Sequence, residues 1–300
     1  MKLRRVIKNW LILIAVAVLF FVNSTTVSAM PFYGLKPAKS IVRRAEFFTS
    51  YSSSTLERKH NIALAVSSIN NTFLDVGAEF SFNAVVGART EKRGYKSAKI
   101  IVQGEFVDGV GGGVCQVSTT LYNAVLLSGL KVTEYHPHSL QVGYVAPSFD
   151  AMVSGSADLR FINNTDNPII VQMQADGERV CAIILGEQMN CSYIRQSVVV
   201  GRVDPPPTKT IKDEKGEYPD LTVGETRVLR YAKVGVKSQG YLIKTVNGKE
   251  VKKEKIRNDT YGAIGEIIIE GTKEKNSDLV EETLIEKIKN IFLGKNHFNL

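Results

Sequence analysis

Three consecutive glycines, Gly111 to Gly113, run directly into the segment Val114-Cys115-Gln116-Val117-Ser118. Glycine lets the backbone turn tightly and lets other groups approach it closely. Beyond the glycines, apolar residues recur at helical spacing, at Val117, Leu121, Ala124 and Val125. Gly129 stands where a left-handed cap ends a helix. The sequence therefore predicts a helix that leaves the glycine loop with Cys115 on its first turn.

A thiol at the start of a helix lies near backbone N–H groups that no helical carbonyl satisfies. Their partial positive charge favours the thiolate, and the same N–H groups are suited to binding a developing oxyanion. Free cysteine also serves as a small buried apolar group. We interpret Cys115 as a candidate nucleophile, with the buried structural cysteine as the alternative.

Two of the four histidines, His136 and His138, follow the helix with only Pro137 between them. On a strand their side chains would lie on the same face, so the sequence does not choose between them as a base. A nucleophile at a helix start with a base on a following strand is typical of thiol enzymes. The sequence predicts a Cys115–His136 or Cys115–His138 pair.

A carboxylate that orients the imidazole would complete such a site. Asp158 is the first choice, with Glu134 and Asp150 behind it. The predicted binding residues around the thiol are Gly112, Gly113, Gln116, Tyr122 and Tyr135. The thiol and the two histidines would also supply three zinc ligands, but no CxxC or HExxH motif accompanies them. We therefore predict neither a metal nor a cofactor.

The glycine run is not a phosphate loop, because it lacks the Gly-Lys-Ser/Thr ending. The chain begins with Lys2, Arg4, Arg5 and Lys8, followed by an apolar run from Trp10 to Val22 and small residues up to Ala29. This order is typical of a secretory signal cleaved after Ala29, with an uncleaved anchor as the alternative. Four basic residues of the net charge of +8 belong to this leader, so the charge indicates no nucleic-acid partner.

The chain has three cysteines, an odd number for an exported protein. Cys181 and Cys191 are near enough in sequence to form a disulfide, which would leave Cys115 free, and both are alternatively buried apolar groups. Six segments are predicted: a signal or anchor at 1–29, a linker at 30–44, an α+β domain at 45–200, a proline-rich linker at 201–210, a β module at 211–275 and an amphipathic helix at 276–300.

The fold class predicted for the whole is α+β. An antiparallel sheet packs on the helix that bears Cys115, and a small all-β module and a terminal helix follow. We expect strands at 141–145 and 152–163, and hairpins at Asp176-Gly177 and Asn247-Gly248. An earlier helix begins near Ser54-Thr55-Leu56-Glu57, which has the spacing of a capping box. The terminal helix either docks on a domain or contacts a membrane surface.

Four stretches, which run in order from about Phe47 to about Gln174, closely resemble the VanW family. They are HNIALAVSSINNT, GAEFSFNAVVGARTEKRGYKSAKIIVQGEFVDGVGGGVCQVSTTLYNAVLLSGL, EYHPHSLQVGYV and DLRFINNTDNPIIV. The β module resembles the five-glycine cell-wall domain, mainly through residues 246–251 and 271–273. The resemblance implies an exported bacterial protein that is tied to peptidoglycan, with glycopeptide resistance in some members, and it implies no particular reaction.

Two functions follow for an extracytoplasmic, cell-envelope protein. The first is a thiol hydrolase or acyl-transferase that acts on the peptide stems of the wall through Cys115. The second is a non-catalytic peptidoglycan-binding or scaffold protein, which mild basicity and tyrosines such as Tyr95, Tyr135 and Tyr144 favour. The predicted partners are peptidoglycan or its peptide stems and no nucleic acid, with membrane-surface contact through the leader or the terminal helix.

Overall fold

A computed structural model describes residues 40–102 and 104–274, together with Ile285, Ile288 and Lys289. The predicted leader at 1–29, most of the linker at 30–44 and nearly all of the terminal helix at 276–300 lie outside the described residues. Within the described ranges, none of the helices has both the length and the apolar character needed to cross a membrane.

The described residues form three α-helices and fifteen strands in five sheets, so the predicted α+β class is wrong. Strands make up 45% of the structure and helices 17%, because helical periodicity is sustained over only two long segments. The helices are α1 (Leu56–Ile69), α2 (Phe82–Val86) and α3 (Val114–Leu127). The first strands are β1 (Ile41–Ser50), β2 (Thr72–Leu74), β3 (Glu79–Ser81), β4 (Ser97–Val102) and β5 (Glu105–Val110).

The remaining strands extend to Glu270. They are β6 (Lys131–Glu134), β7 (Arg160–Ile162), β8 (Ile169–Ala175), β9 (Arg179–Glu187), β10 (Ser192–Val203), β11 (Lys209–Lys212), β12 (Thr226–Arg230), β13 (Gly235–Val246), β14 (Lys249–Tyr261) and β15 (Ile267–Glu270). A four-stranded antiparallel sheet in the order β1-β9-β8-β2 carries α1 and α3 on one face. A smaller sheet, β3-β7-β6, and the β4-β5 hairpin complete the first part.

Both predicted long helices are confirmed. The side chain of Thr55 caps α1 by accepting the N–H of Arg58, and the helix ends at Asn70. Helix α3 begins after Gly113, whose φ of +108° lies in the left-handed region, and it ends before Gly129 at φ +71°. Its apolar face, including Val117, Leu121, Ala124 and Val125, is buried in the core. The glycine loop therefore delivers Cys115 to the helix start.

The predicted strands at 141–145 and 152–163 are wrong, apart from β7. Instead, the backbone after α3 bonds to side chains of that helix. Ser118 donates its hydroxyl to the Ala151 carbonyl at 2.6 Å, and Asn123 donates its amide to the Phe149 carbonyl at 2.8 Å. A backbone that is satisfied by side chains needs no strand partner. This holds the loop that contains Asp150 against α3.

The strands β10 to β15 form two three-stranded sheets, β10-β13-β14 and β11-β15-β12, which we call the C-terminal sheets. The predicted hairpin at Asn247-Gly248 is confirmed, with both residues at positive φ between β13 and β14. The hairpin at Asp176-Gly177 between β8 and β9 is confirmed as well. Strand β10 pairs with β13 as far as Val203, so this sheet begins before the triple proline.

The middle glycine of the loop gives a test of the packing. A Cβ at Gly112 would lie 2.8 Å from the Lys99 carbonyl oxygen and 2.9 Å from the backbone of Ala98. Because backbone cannot yield as a flexible side chain does, we expect Gly112→Ala to lower the free energy of unfolding by about 1–3 kcal/mol. Gly155→Ala is the matched control, since its Cβ would meet open space. Equal denaturation midpoints for the two variants would contradict the close approach.

Candidate active site

Cys115 is the second residue of α3 and lines a cleft of about 760 Å³. The thiol is partly exposed, and its Sγ donates to the Val153 carbonyl at 3.4 Å. One wall is the β4-β5 hairpin, and the other is formed by α1, α3 and the loop after β6. The cleft gives a substrate access to the thiol at the helix N-terminus.

His138 lies beside this thiol and is buried, with 6% of its surface exposed. Its Nδ1 is 2.7 Å from Oδ2 of Asp150, and its backbone N–H donates to the same oxygen at 2.7 Å. The ring is also near enough to Cys115 for each of the two groups to shift the pKa of the other. Since Nδ1 is engaged by the carboxylate, Nε2 is the nitrogen left to interact with Sγ. Cys115, His138 and Asp150 thus stand in line as thiol, imidazole and carboxylate.

The electrostatics of this line favour a thiolate–imidazolium pair. Burial opposes ionisation of Cys115, but the hydrogen bond and the charge of His138 outweigh it and lower the pKa of the thiol. Burial likewise opposes the charged ring, yet the hydrogen bonds to Asp150 and Cys115 raise the pKa of His138 to about 9. Burial also disfavours the Asp150 carboxylate, but His138 and Arg257 hold its pKa below the ordinary value.

The other predicted members of a triad lie elsewhere. His136 pairs through Nε2 with Glu134 at 2.9 Å and is not among the residues that line the cleft. Asp158 accepts the hydroxyl of Ser81 at 2.5 Å and the N–H of Asn83 at 2.8 Å, at the start of α2. The structure therefore brings His138 and Asp150, rather than His136 and Asp158, to the thiol.

Gly112 and Gly113 line the cleft, as does Gln116. The Gln116 side chain is engaged by the protein at both ends. Its amide N–H groups donate to the Thr49 hydroxyl at 2.9 Å and the Ser50 carbonyl at 2.8 Å, while its oxygen accepts from Arg58 at 2.8 Å. Gln116 thus ties α3 to β1 and orients an arginine of α1.

Tyr122 and Tyr135 do not line the cleft. They lie against the guanidinium of Arg257, whose central carbon is 5.6 Å from the ring centre of Tyr122 and 4.6 Å from that of Tyr135. Tyr135 also donates its hydroxyl to the Ile256 carbonyl at 3.2 Å. Both rings therefore join the first part of the chain to β14 of the C-terminal sheets.

Sequence reasoning missed the groups on β14 that hold Asp150. Tyr261 donates its hydroxyl to Asp150 Oδ1 at 2.5 Å, and Arg257 bonds to both the backbone carbonyl and Oδ1 of Asp150. Arg257 also donates to Asp259 at 2.9 Å. Arg257, Asp259 and Tyr261 alternate on the buried face of one strand. The sequence does not mark this face, because the intervening Asn258 and Thr260 are polar as well.

Two arginines beside the thiol, Arg58 and Arg89, were also missed. Both line the cleft, as does Tyr144, which sequence reasoning named only as a tyrosine that favours wall binding. Burial, with the neighbouring Cys115, raises the pKa of Tyr144 far above its ordinary range, so the phenol stays protonated. These residues come from α1, from the loop after α2 and from the loop after β6, and their separation in sequence hides their proximity.

The three cysteines are free thiols, so no Cys181–Cys191 disulfide is present. Cys181 hydrogen-bonds to Glu46 at 3.2 Å, and burial together with this carboxylate raises the pKa of its thiol to about 11. In the parts of the chain that the structure describes, no group of three or more His, Cys, Asp and Glu side chains is arranged to hold a metal ion.

Two known protein families match this chain, each over a separate stretch. Residues 57–185 match the family described as VanW like protein, and residues 196–273 match the G5 domain. The Bacillus subtilis protein YoaR is 42% identical over 152 residues, which cover 50% of each chain. The vancomycin B-type resistance protein VanW of Enterococcus faecalis is 25% identical over 154 residues, 46% of this chain and 56% of the relative. The chain thus spans about half the length of these relatives.

Among solved structures, the G5 domain of IgA1 protease is 26% identical and aligns with 28% of this chain and 92% of its own, at a TM-score of 0.19. The HP0197 G5 domain is 18% identical and aligns with 28% of this chain and all of its own, at a TM-score of 0.15.

Proposed function

We propose that this chain, in which a VanW-like domain is followed by a G5 domain, is a thiol enzyme that hydrolyses or transfers acyl groups at amide bonds of cell-wall peptides. The observation that supports this function best is that Cys115 and His138 line the cleft together, with Asp150 buried behind His138 and bonded to its Nδ1. A thiol, an imidazole and a carboxylate in this order are the groups that a thiol enzyme uses.

In the first step the Cys115 thiolate attacks the carbonyl carbon of the amide. The carbonyl oxygen becomes an oxyanion at the N-terminus of α3, where the helix dipole and the backbone N–H of Cys115 favour it. The N–H groups of Val114 and Gln116 already donate to the Gly111 and Gly113 carbonyls. The imidazolium of His138 then donates its Nε2 proton to the amine that leaves as the C–N bond breaks. This leaves a thioester on Cys115 and a neutral imidazole.

In the second step water or an acceptor amine attacks the thioester, and His138 takes the proton that the nucleophile loses. The C–S bond breaks, and the thiolate–imidazolium pair is restored. Asp150 stabilises the imidazolium and fixes its Nδ1–H, so that Nε2 stays directed at the sulfur. Hydrolysis and transfer differ only in the nucleophile of this step.

The two domains are consistent with a cell-wall-associated protein, and the G5 match supports peptidoglycan as the location of the substrate. The same match favours a second candidate, a wall-binding protein without catalysis. Sedimentation with purified peptidoglycan separates the two. Binding that survives in Cys115→Ala, without any acyl transfer in the unaltered protein, would favour the second candidate.

Cys181 provides an internal control for the enzyme hypothesis. We expect iodoacetamide at pH 7 to alkylate Cys115 at least about 100-fold faster than Cys181, because the pKa of Cys115 is lowered while that of Cys181 is about 11. Mass spectrometry of the peptides that contain each cysteine measures both rates in one sample. Equal alkylation rates at the two cysteines would contradict the hypothesis of a thiol enzyme.

The variant Cys115→Ser is expected to fold normally and to lose acyl transfer to wall peptides.

A further inference from the structure

We propose that Arg58 and Arg89 form a subsite for a carboxylate of the substrate next to Cys115. This inference rests on the proposed function, since it names the class of acyl substrate that the thiol would attack. The substrate would be a peptide with a free carboxylate within a few bonds of the reacting carbonyl.

The charge of the cleft is one-sided. Its basic lining consists of Arg58, Arg89, Lys99, Lys233 and the charged ring of His138, and no Asp or Glu is among the described residues that line it. Lys99 is paired with Asp108 across the β4-β5 hairpin at 3.0 Å, and His138 is paired with Asp150. The positive charge that no carboxylate pairs with near the thiol is therefore carried mainly by the two arginines, since they, like His138, interact electrostatically with the thiol.

Arg58 points from α1 toward the helix start of α3. Its guanidinium donates to the Ser54 hydroxyl and to the Gln116 amide oxygen, both at 2.8 Å. Burial lowers its pKa, while Tyr144 and Cys115 act in the opposite direction, which places it within electrostatic reach of the sulfur. Neutral partners orient the guanidinium and leave its charge uncompensated.

Arg89 reaches the cleft from the loop after α2. It donates to the Asn83 amide oxygen at 2.7 Å, the Gly87 carbonyl at 3.2 Å and the Ser154 carbonyl at 3.4 Å. Its charge lowers the pKa of Cys115. Among the residues that the structure describes, no carboxylate forms an ion pair with Arg58 or Arg89. Two oriented arginines that no carboxylate of the described residues neutralises are suited to bind a carboxylate from outside.

The cleft also has an apolar lining, with Ile100, Ile101 and Phe106 on the hairpin wall and Val142 and Met152 in the loop after β6. A peptide bound here would place an apolar side chain on this wall and its carboxylate on the arginines. Both contacts together would orient the carbonyl between the sulfur and the N-terminus of α3. A neutral amide in place of the carboxylate would lose the charged contact.

Iodoacetate and iodoacetamide test the subsite without knowledge of the natural substrate. Both lose iodide to a thiolate and have nearly the same size, but only iodoacetate carries a carboxylate. In the full chain at pH 7, we expect the ratio of the iodoacetate rate to the iodoacetamide rate at Cys115 to exceed that of glutathione by about tenfold, in keeping with a charge-assisted hydrogen bond. Arg89→Gln is expected to remove this excess.

Arg202→Gln is the matched control, because it removes one exposed positive charge away from the cleft and should leave the ratio unchanged. Thermal denaturation establishes that each variant is folded. A ratio at Cys115 equal to that of glutathione, or a ratio unaffected by Arg89→Gln, would overturn the subsite even if Cys115 reacts rapidly with both reagents. Slow reaction with both reagents, with the ratio still raised, would instead count against the thiol enzyme and leave the subsite.

Discussion

Replacing His138 with glutamine is expected to slow the alkylation of Cys115 by iodoacetamide at least about tenfold at pH 6.5, because the thiol loses the hydrogen bond and the charge that lower its pKa, and burial then opposes its ionisation. In the unaltered protein the His138 hydrogen bond and charge offset burial and lower the pKa of Cys115. The rate is measured by mass spectrometry as a function of pH.

The pH dependence gives the sign of the effect. Glutamine carries no positive charge, so in His138→Gln the Cys115 thiolate forms only at a higher pH than in the unaltered protein. In the unaltered protein His138 itself loses its proton near pH 9. Above that pH its charge no longer favours the thiolate, and the alkylation rates of Cys115 in the two proteins converge. His136→Gln is the control, since His136 pairs with Glu134, and it should follow the unaltered profile. Coinciding profiles for His138→Gln and His136→Gln would contradict the pair.

Removing Arg257 is expected to lower the free energy of unfolding by about 3–5 kcal/mol, because two buried carboxylates lose their guanidinium. Arg257 is 2% exposed and contacts Asp150 and Asp259, which are 1% and 8% exposed. Chemical denaturation of Arg257→Ala measures the loss. Arg227→Ala breaks an ion pair at the surface and should cost less than about 1 kcal/mol.

A gentler variant separates positioning from stability. Tyr261→Phe keeps the ring but removes the hydrogen bond to Asp150 and the one that the hydroxyl accepts from the Ser148 N–H, so about 1–3 kcal/mol is expected to be lost. If β14 positions the carboxylate, the pH profile of Cys115 alkylation shifts in this variant, which a purely structural role would not produce. For the arginine itself, a loss of stability in Arg257→Ala no larger than that in Arg227→Ala would contradict the buried contact of Arg257 with Asp150 and Asp259.

Local signals predicted much of the fold. The helices α1 and α3 follow from apolar spacing and their caps, and two hairpins follow from Asp-Gly and Asn-Gly turns. The fold class was wrong because the amount of strand depends on pairing between distant segments, which a local pattern does not contain. The loop after β6 was predicted as strands because its apolar residues, buried against α3, resemble strand residues in number and spacing.

The candidate site could likewise be predicted only where the signal is local. The three glycines before Cys115 indicate a thiol at a helix start, and the spacing of His136 and His138 indicates a candidate base. The choice of Asp150 over Asp158 depends on where a loop is held by side chains of α3 and by β14, more than a hundred residues later. Arg58 and Arg89 bear on the thiol only after folding, since no spacing relates them to it in sequence.

Because β14 holds Asp150, the parts of the candidate site are completed at different times during synthesis. Arg257 and Tyr261 follow Asp150 by 107 and 111 positions. The ribosome therefore makes Cys115 and His138 well before the two residues that hold the Asp150 carboxylate. Domains fold in the order in which they emerge. Cys115 and His138 are therefore made while Asp150 is still unanchored, and the arrangement of Cys115, His138 and Asp150 is held in place only once β14 has joined it.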